Sequence, residues 1–330
     1  MNQSEPSHPV FRIIDRLAGY ARPDTAAEII AGLKAPAAAI APKYFYDALG
    51  CRLFQAICEL PEYYVTRTEA AVFEAHREAI AQAVGTRHQL VDLGAGDCAK
   101  AACWFPALDP SRYIAVDVAR DIVEAALAKF AAEMPHTDFV GLIDDFSTIL
   151  NLDGVLGAEP VTFFYPGSSI GNFTPSDAER FIAQTRARCA TPGSGLLIGV
   201  DLVKDHEVLR RAYDDATGVT AAFNKNVLNH VNKLAGTNFD AGMFAHVGLF
   251  NPDESRIEMH LESLRAHTVR LGSAADSATR TFARGERIHT ENSYKYTPEA
   301  FRALLARAGF GKVQHWTDEK GWFGVFFASP

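Results

Sequence analysis

Residues 90–101 read Leu-Val-Asp-Leu-Gly-Ala-Gly-Asp-Cys-Ala-Lys-Ala. A short apolar run breaks at Gly94-Ala95-Gly96 and passes into a helix-forming stretch. Glycines at a strand-to-helix turn let the backbone pass close to a ligand. The next apolar run ends at Asp117, a spacing at which a carboxylate meets the two hydroxyls of a ribose. Gly94, Gly96 and Ala99 also satisfy the glycine fingerprint of dinucleotide sites, so the turn alone points to an adenosine-bearing cofactor without choosing one.

Working outward, QLVDL, RYIAV, DFVGL, VTFFY and GLLIGV are apolar runs of strand length, with helical stretches at 119–133 and 176–189 between them. Continuous apolar runs alternating with helices read as buried parallel strands in βαβ units. Upstream, CRLFQAICEL reads as a short helix stopped by Pro61, and residues 66–84 as one helix opened by Thr66 and Glu69. Downstream, residues 206–234 read as a helix. RIEMHLESLRAHTVRL and GERIHTEN then read as two long strands, with Ile257, Met259 and Leu261 alternating. A helix at 298–307 and a closing antiparallel hairpin, KVQHWTD and GWFGVFFAS, end the chain.

The fold class expected is therefore α/β, a Rossmann-like, mostly parallel sheet with a C-terminal antiparallel hairpin plus an inserted α+β segment. The sheet domain is assigned to residues 68–202 and 295–330, the inserted substrate-recognition domain to 12–67 and 203–294, and residues 1–11 to a flexible tail.

Composition narrows the function. The chain has 330 residues, 48% hydrophobic and 22% charged, with a net charge of −8. An acidic chain without a basic patch argues against nucleic acid or an anionic membrane as partner. The polar opening is no signal peptide, and no apolar run is long enough to span a bilayer. Five cysteines, an odd number, read as reduced thiols of a cytoplasmic protein, expected to act as a monomer. The scattered histidines have no metal-ligand spacing, and no metal is expected. A phosphate-binding lysine loop, a His-Glu-x-x-His helix and a Gly-x-Ser-x-Gly turn are absent.

Three features favour S-adenosylmethionine over NAD: a long helix precedes the glycine turn, Asp92 stands two residues before Gly94, and the sheet closes on an antiparallel hairpin. Asp144-Asp145-Phe146 follows the third run, where an acid can accept from an adenine amino group and Phe146 can cover the ring. Asn172 follows the fourth run among glycines, either as an uncharged partner for an amine or as a helix cap. Glu291 and Ser293 share a strand face and could hold a ring bearing N–H groups, or could be solvated. Tyr63 and Tyr213 are phenols able to donate to a carboxylate, and are equally suited to packing.

LPEYYVTRTE, LVDLGAGDCAK, FYPGSSIGNFTP, AYDDATGVTAAFNKNVLNHVN, RIEMHLES and IHTENSYKY together resemble the histidine-specific N-alpha-methyltransferases of ergothioneine biosynthesis, over residues 42–329. The resemblance implies trimethylation of the L-histidine α-amine to hercynine with S-adenosylmethionine as methyl donor. It assigns Tyr46, Gly94, Gly96, Lys100, Asp117, Asp145 and Phe146 to the donor. Tyr63, Asn172 and Tyr213 go to the amino acid moiety and the catalytic centre, Glu291 and Ser293 to the imidazole, and Met259 to the ring pocket. Methylation of another amino acid, an NAD-dependent oxidoreductase and a non-catalytic sensor of S-adenosylmethionine are the rivals.

Overall fold

The computed structural model describes residues 11–17, 25–146, 150–273 and 278–330. The first six strands are β1 (Phe11–Asp15), β2 (Gln89–Leu93), β3 (Arg112–Asp117), β4 (Asp138–Ile143), β5 (Val161–Tyr165) and β6 (Gly195–Asp201). The inserted segment contributes β7 (Phe244–Asn251), β8 (Arg256–Ser263), β9 (His267–Leu271), β10 (Ala278–Phe282) and β11 (Arg287–Tyr294). The chain closes with β12 (Lys312–Thr317) and β13 (Phe323–Ser329).

Among the described residues, eight strands form one sheet in the order β1-β4-β3-β2-β5-β6-β13-β12. Neighbours from β1 to β6 are parallel, and β13 runs antiparallel to both β6 and β12. The fold is thus the α/β arrangement expected, with its antiparallel closing hairpin. Both faces of the sheet are covered. Val91, Ile114, Val140 and Phe163 pack on one side, Leu90, Tyr113, Phe139 and Phe164 on the other. Burial on both faces is why these strands read as unbroken apolar runs. Strand order reverses between β2 and β5, and ligands of such sheets sit outside the carboxyl ends at that reversal.

Several expectations change. The strand β1 pairs in parallel with β4 at the edge of the large sheet, although Phe11 was assigned to the tail and the next residues to the substrate segment. A run of five residues becomes a strand here because β4 offers it a free edge, which no local pattern reveals. Residues 1–10 of the expected tail lie outside the described residues. The single helix at 66–84 is two, Val65–Ala75 and Arg77–Val84, and its first turn has no side-chain cap. The helix at 206–234 is likewise two, His206–Tyr213 and Val219–Ala235, parted by Gly218 with φ +79°. Asp215 accepts from the Val219 and Thr220 amides and so starts the second. The first of the two long strands is two, β8 and β9, the second is β11, and β7 and β10 were not anticipated. These form an antiparallel sheet β11-β8-β7 and a two-stranded β9–β10 ribbon. No helix among the described residues is long and apolar enough to cross a membrane.

The pieces meet at Asp201, the fully buried last residue of β6. Its carboxylate accepts from Tyr64 at 2.8 Å, pairs with Lys295 at 2.7 Å and also accepts from Lys204. Burial opposes its charge, but the two ammonium groups outweigh burial and hold its carboxyl below the ordinary range. Removing one member of such a cluster strands the others. Asp201→Ala is expected to lower unfolding free energy by about 3–5 kcal/mol in urea titration, and wild-type stability would show the buried cluster to be energetically idle.

Candidate active site

The carboxyl ends of the parallel strands carry the expected donor residues. Gly94 (φ +73°) and Gly96 (φ +52°) adopt the left-handed region that glycine tolerates without strain. A Cβ at Gly96 would meet nothing within 4 Å, so open space lies beside the turn. Asp117 accepts from the Gly96 amide at 2.9 Å and the Ala119 amide at 2.9 Å, which fixes its carboxylate at the mouth of that space. Phe146 stands against Gly94, 3.8 Å from where a Cβ would lie. Asp145 pairs with Lys43 at 3.5 Å, bringing the N-terminal segment over the same edge. An adenosine fits this set of groups: an open glycine turn, a ribose-facing acid and an aromatic wall. Asp92 does not face it. Burial pushes its carboxyl up to about 7, against the short bond it accepts from Tyr113 at 2.6 Å.

Lys100 occupies the boundary between this region and the neighbouring cleft. Its ammonium is paired at 2.6 Å with Glu69, which is almost wholly buried. The other oxygen of Glu69 accepts from the Gly167 amide at 2.6 Å. Glu69, read from sequence as a helix-start residue, instead ties its helix to the glycine turn and to the loop after β5. The capping pattern of Thr66 and Glu69 concealed that role.

Beside it lies an open-mouthed cleft lined by Tyr46, Tyr63, Asn172, Tyr213, Met259, Glu291 and Ser293, every residue expected around the substrate together with Tyr46. Phe54, Ile57 and Phe223 add an apolar wall. Tyr46 packs edge-on against Phe54 and Phe223 and remains 41% exposed at the rim. The rings of Tyr63 and Tyr213 meet edge-to-face, 6.1 Å apart. Asn172 is not a helix cap. Thr174 caps the following helix, accepting from the Asp177 amide, while the Asn172 amide lines the cleft near enough to Glu291 to draw its carboxyl down.

Glu291 reaches the cleft through an irregularity in β11. Ile288 pairs with Leu261 of β8 and His289 with His260, but the next pair is Glu291 with Met259. Thr290 is the extra residue, buried and anchored 2.8 Å from Asn224 Oδ1. A bulge of this kind flips the alternation. Glu291 and Ser293 therefore share the inner face with Ile257 and Met259, while His289 and Asn292 take the outer one. Asn224 also donates to His246 Nδ1 at 2.8 Å, and His246 Nε2 donates to the Tyr213 carbonyl at 2.8 Å. Burial keeps His246 uncharged. Sequence reading missed Asn224 and His246, which carry no local signal. It also missed Lys295, which continues the two-residue alternation of Glu291 and Ser293 and could have been found by it. Among the described residues, no group of three or more His, Cys, Asp or Glu side chains is placed to hold a metal ion.

A doubly wound sheet with an open glycine turn and a cleft beside it is the arrangement of a class I S-adenosylmethionine-dependent methyltransferase. Residues 25–330 match the family of histidine-specific, S-adenosylmethionine-dependent methyltransferases, and the chain belongs to that family. It is 42% identical to a histidine N-alpha-methyltransferase of Mycolicibacterium smegmatis, over 94% of this chain and 98% of that one. It is 37% identical to the enzyme of the same name from Mycobacterium tuberculosis, over 92% and 94%. It is also 30% identical to ergothioneine biosynthesis protein 1 of Neurospora crassa, over 82% of this chain and 31% of that longer one.

Burial pushes the Glu291 carboxyl from its ordinary 4.5 up to about 7, against Lys295 and the Asn172 bond, which pull it down. Between those two pH values the folded chain keeps a proton that the unfolded chain has lost. The contribution of Glu291 to stability is therefore present below the lower value and falls as pH rises through the upper one. Glu291→Gln is expected to gain stability relative to the wild type across that window, by up to about 3 kcal/mol. A difference in unfolding free energy that stays flat with pH would contradict this.

Proposed function

We propose that this protein trimethylates the α-amine of L-histidine, giving hercynine as the entry to ergothioneine formation. The observation that carries the reading is the convergence, in one cleft beside the glycine turn, of two phenols, an uncharged amide and a buried carboxylate from distant parts of the chain. Tyr63 and Tyr213 take the carboxylate of the amino acid, Asn172 its amine, and Glu291 with Ser293 its imidazole, with Met259 against the ring. The donor side belongs to Tyr46, Gly94, Gly96, Lys100, Asp117, Asp145 and Phe146. In this division residues 68–202 and 295–330 hold the donor, and residues 12–67 and 203–294 recognise the amino acid, with β1 joining the first group. The chain is read as a monomer of the cytoplasm, a reducing compartment that suits its five free thiols.

When bound, the donor supplies an electrophilic methyl group on sulfur. The residues of the chain must present an amine with a free lone pair, and an α-amine at neutral pH is mostly protonated. A carboxylate beside the nitrogen would hold it as ammonium. Asn172 avoids this. Its amide carbonyl can orient the amine without adding charge, and the proton leaves to water. Successive methylations require the nitrogen to turn, which a single acceptor permits. Selectivity then resides at the two ends of the molecule, and a ligand lacking a ring N–H leaves Glu291 buried and unpaired.

Protein incubated with S-adenosylmethionine and a mixture of amino acids is expected to shift histidine alone by three methyl masses. A shift in another amino acid would transfer the activity there, and no shift would end the proposal. Glu291→Ala is expected to weaken histidine binding at least about tenfold, the worth of a hydrogen bond to a charged group, with donor affinity unchanged in calorimetry. Asn172→Ala is expected to slow turnover roughly 10–100-fold through lost orientation, and full activity would remove it from the mechanism.

A further inference from the structure

Lys295 lies two residues beyond Ser293 and carries a side chain with no solvent exposure. Its ammonium has three N–H donors, and each has one partner. They are Asp201 Oδ2 at 2.7 Å, Ser293 Oγ at 2.7 Å and the Tyr213 hydroxyl at 3.1 Å. The two hydroxyls are also 2.9 Å from each other. Asp201 neutralises one positive charge but faces two, because Lys204 shares it. The ammonium is therefore held in place by a carboxylate on the side away from the cleft, and spends its remaining donors on the two hydroxyls that line it.

This fixes the direction of hydrogen bonding. A hydroxyl oxygen that already accepts from a cation offers its own O–H more strongly and its remaining lone pair less readily. Ser293 and Tyr213 share one bond between them. Both can turn their hydrogens outward together only if a ligand brings two acceptors. Two residues before Ser293, on the same face of β11, Glu291 offers acceptors.

We propose that Lys295 is a positioning residue that makes Ser293 and Tyr213 donors to the substrate, so that the cleft selects the neutral imidazole, with one bare ring nitrogen for Ser293 and one N–H for Glu291. This rests on the reading of histidine as substrate and adds to it which protonation state is bound. A cleft governed by Glu291 alone would favour the imidazolium, whose second N–H would meet a hydroxyl already filled by Lys295.

Two experiments decide it. In the first, the intact enzyme is saturated with ring-15N histidine and S-adenosylhomocysteine at neutral pH. Nitrogen shifts are expected to report one protonated and one bare ring nitrogen. Two protonated nitrogens would overturn the proposal while leaving histidine as substrate, whereas failure of histidine to bind at all would overturn the substrate reading itself. In the second, histidine is compared with pyrrolylalanines, in which C–H replaces a ring nitrogen. The wild type is expected to prefer histidine over the analogue lacking the bare nitrogen by at least about tenfold. In Lys295→Met that preference is expected to fall towards one, with binding of S-adenosylhomocysteine within about twofold of wild type, and Lys295→Arg is expected to restore part of it. A purely structural lysine would lower both affinities by one factor and keep the ratio, which would overturn the proposal. Should Lys295→Met fail to fold, the nitrogen spectrum of the intact enzyme decides alone.

Discussion

The buried charge cluster around Asp201 is the interaction on which the remaining architecture depends. It stands at the carboxyl end of β6, where the parallel sheet hands the chain to the inserted segment. Tyr64 arrives there from the N-terminal helices, Lys204 from the exit of the sheet, and Lys295 from the return of β11. Charges taken out of water are tolerated only when their partners are in place. Three separate stretches must dock together for that to hold. The cleft is the space left between them, so its shape is set by an ionic junction rather than by a loop.

A second junction, smaller and closer to the chemistry, joins Glu69, Lys100 and Gly167. It links the helix before the sheet, the helix after the glycine turn, and the loop after β5. The glycine turn and the cleft thereby share a wall. Both junctions use buried carboxylates as connectors at the carboxyl ends of the parallel strands, the side on which such sheets bind ligands. Glu291 is a further buried carboxylate, and it lines the cleft. Unlike Asp201, it has no ammonium in direct contact, and burial dominates its titration. The two differ in surroundings: Asp201 is compensated by its neighbours, while burial dominates at Glu291, as the proposed imidazole contact would require.

Much of this was legible in the residues. The apolar runs from QLVDL to GLLIGV announced a parallel sheet because burial on both faces leaves no polar alternation. The glycine turn and Asp117 announced an adenosine site because only backbone without a side chain can approach such a ligand closely. Less legible were features made by distant pairing. FRIID becomes β1 only against the free edge of β4. Glu69 looked like a helix-start residue because its real partners, Lys100 and the Gly167 amide, are far along the chain. Lys295 is a lysine in a sequence where lysines are ordinarily exposed, and its burial follows from Asp201.

From the sequence by itself came the fold class, the open glycine turn and, through the resemblance, several of the groups that line the cleft, because periodicity, glycine placement and short strings are local properties. Tertiary structure alone decided which way those groups face. In an unbroken β11 strand, the pairing of His289 with His260 would place Glu291 and Ser293 on the outer face. The extra residue Thr290, held by Asn224 from a different helix, turns them inward. A strand has a side-chain period of two, so one added residue inverts every position after it. Its register depends on a partner strand and an anchoring amide that no local pattern encodes.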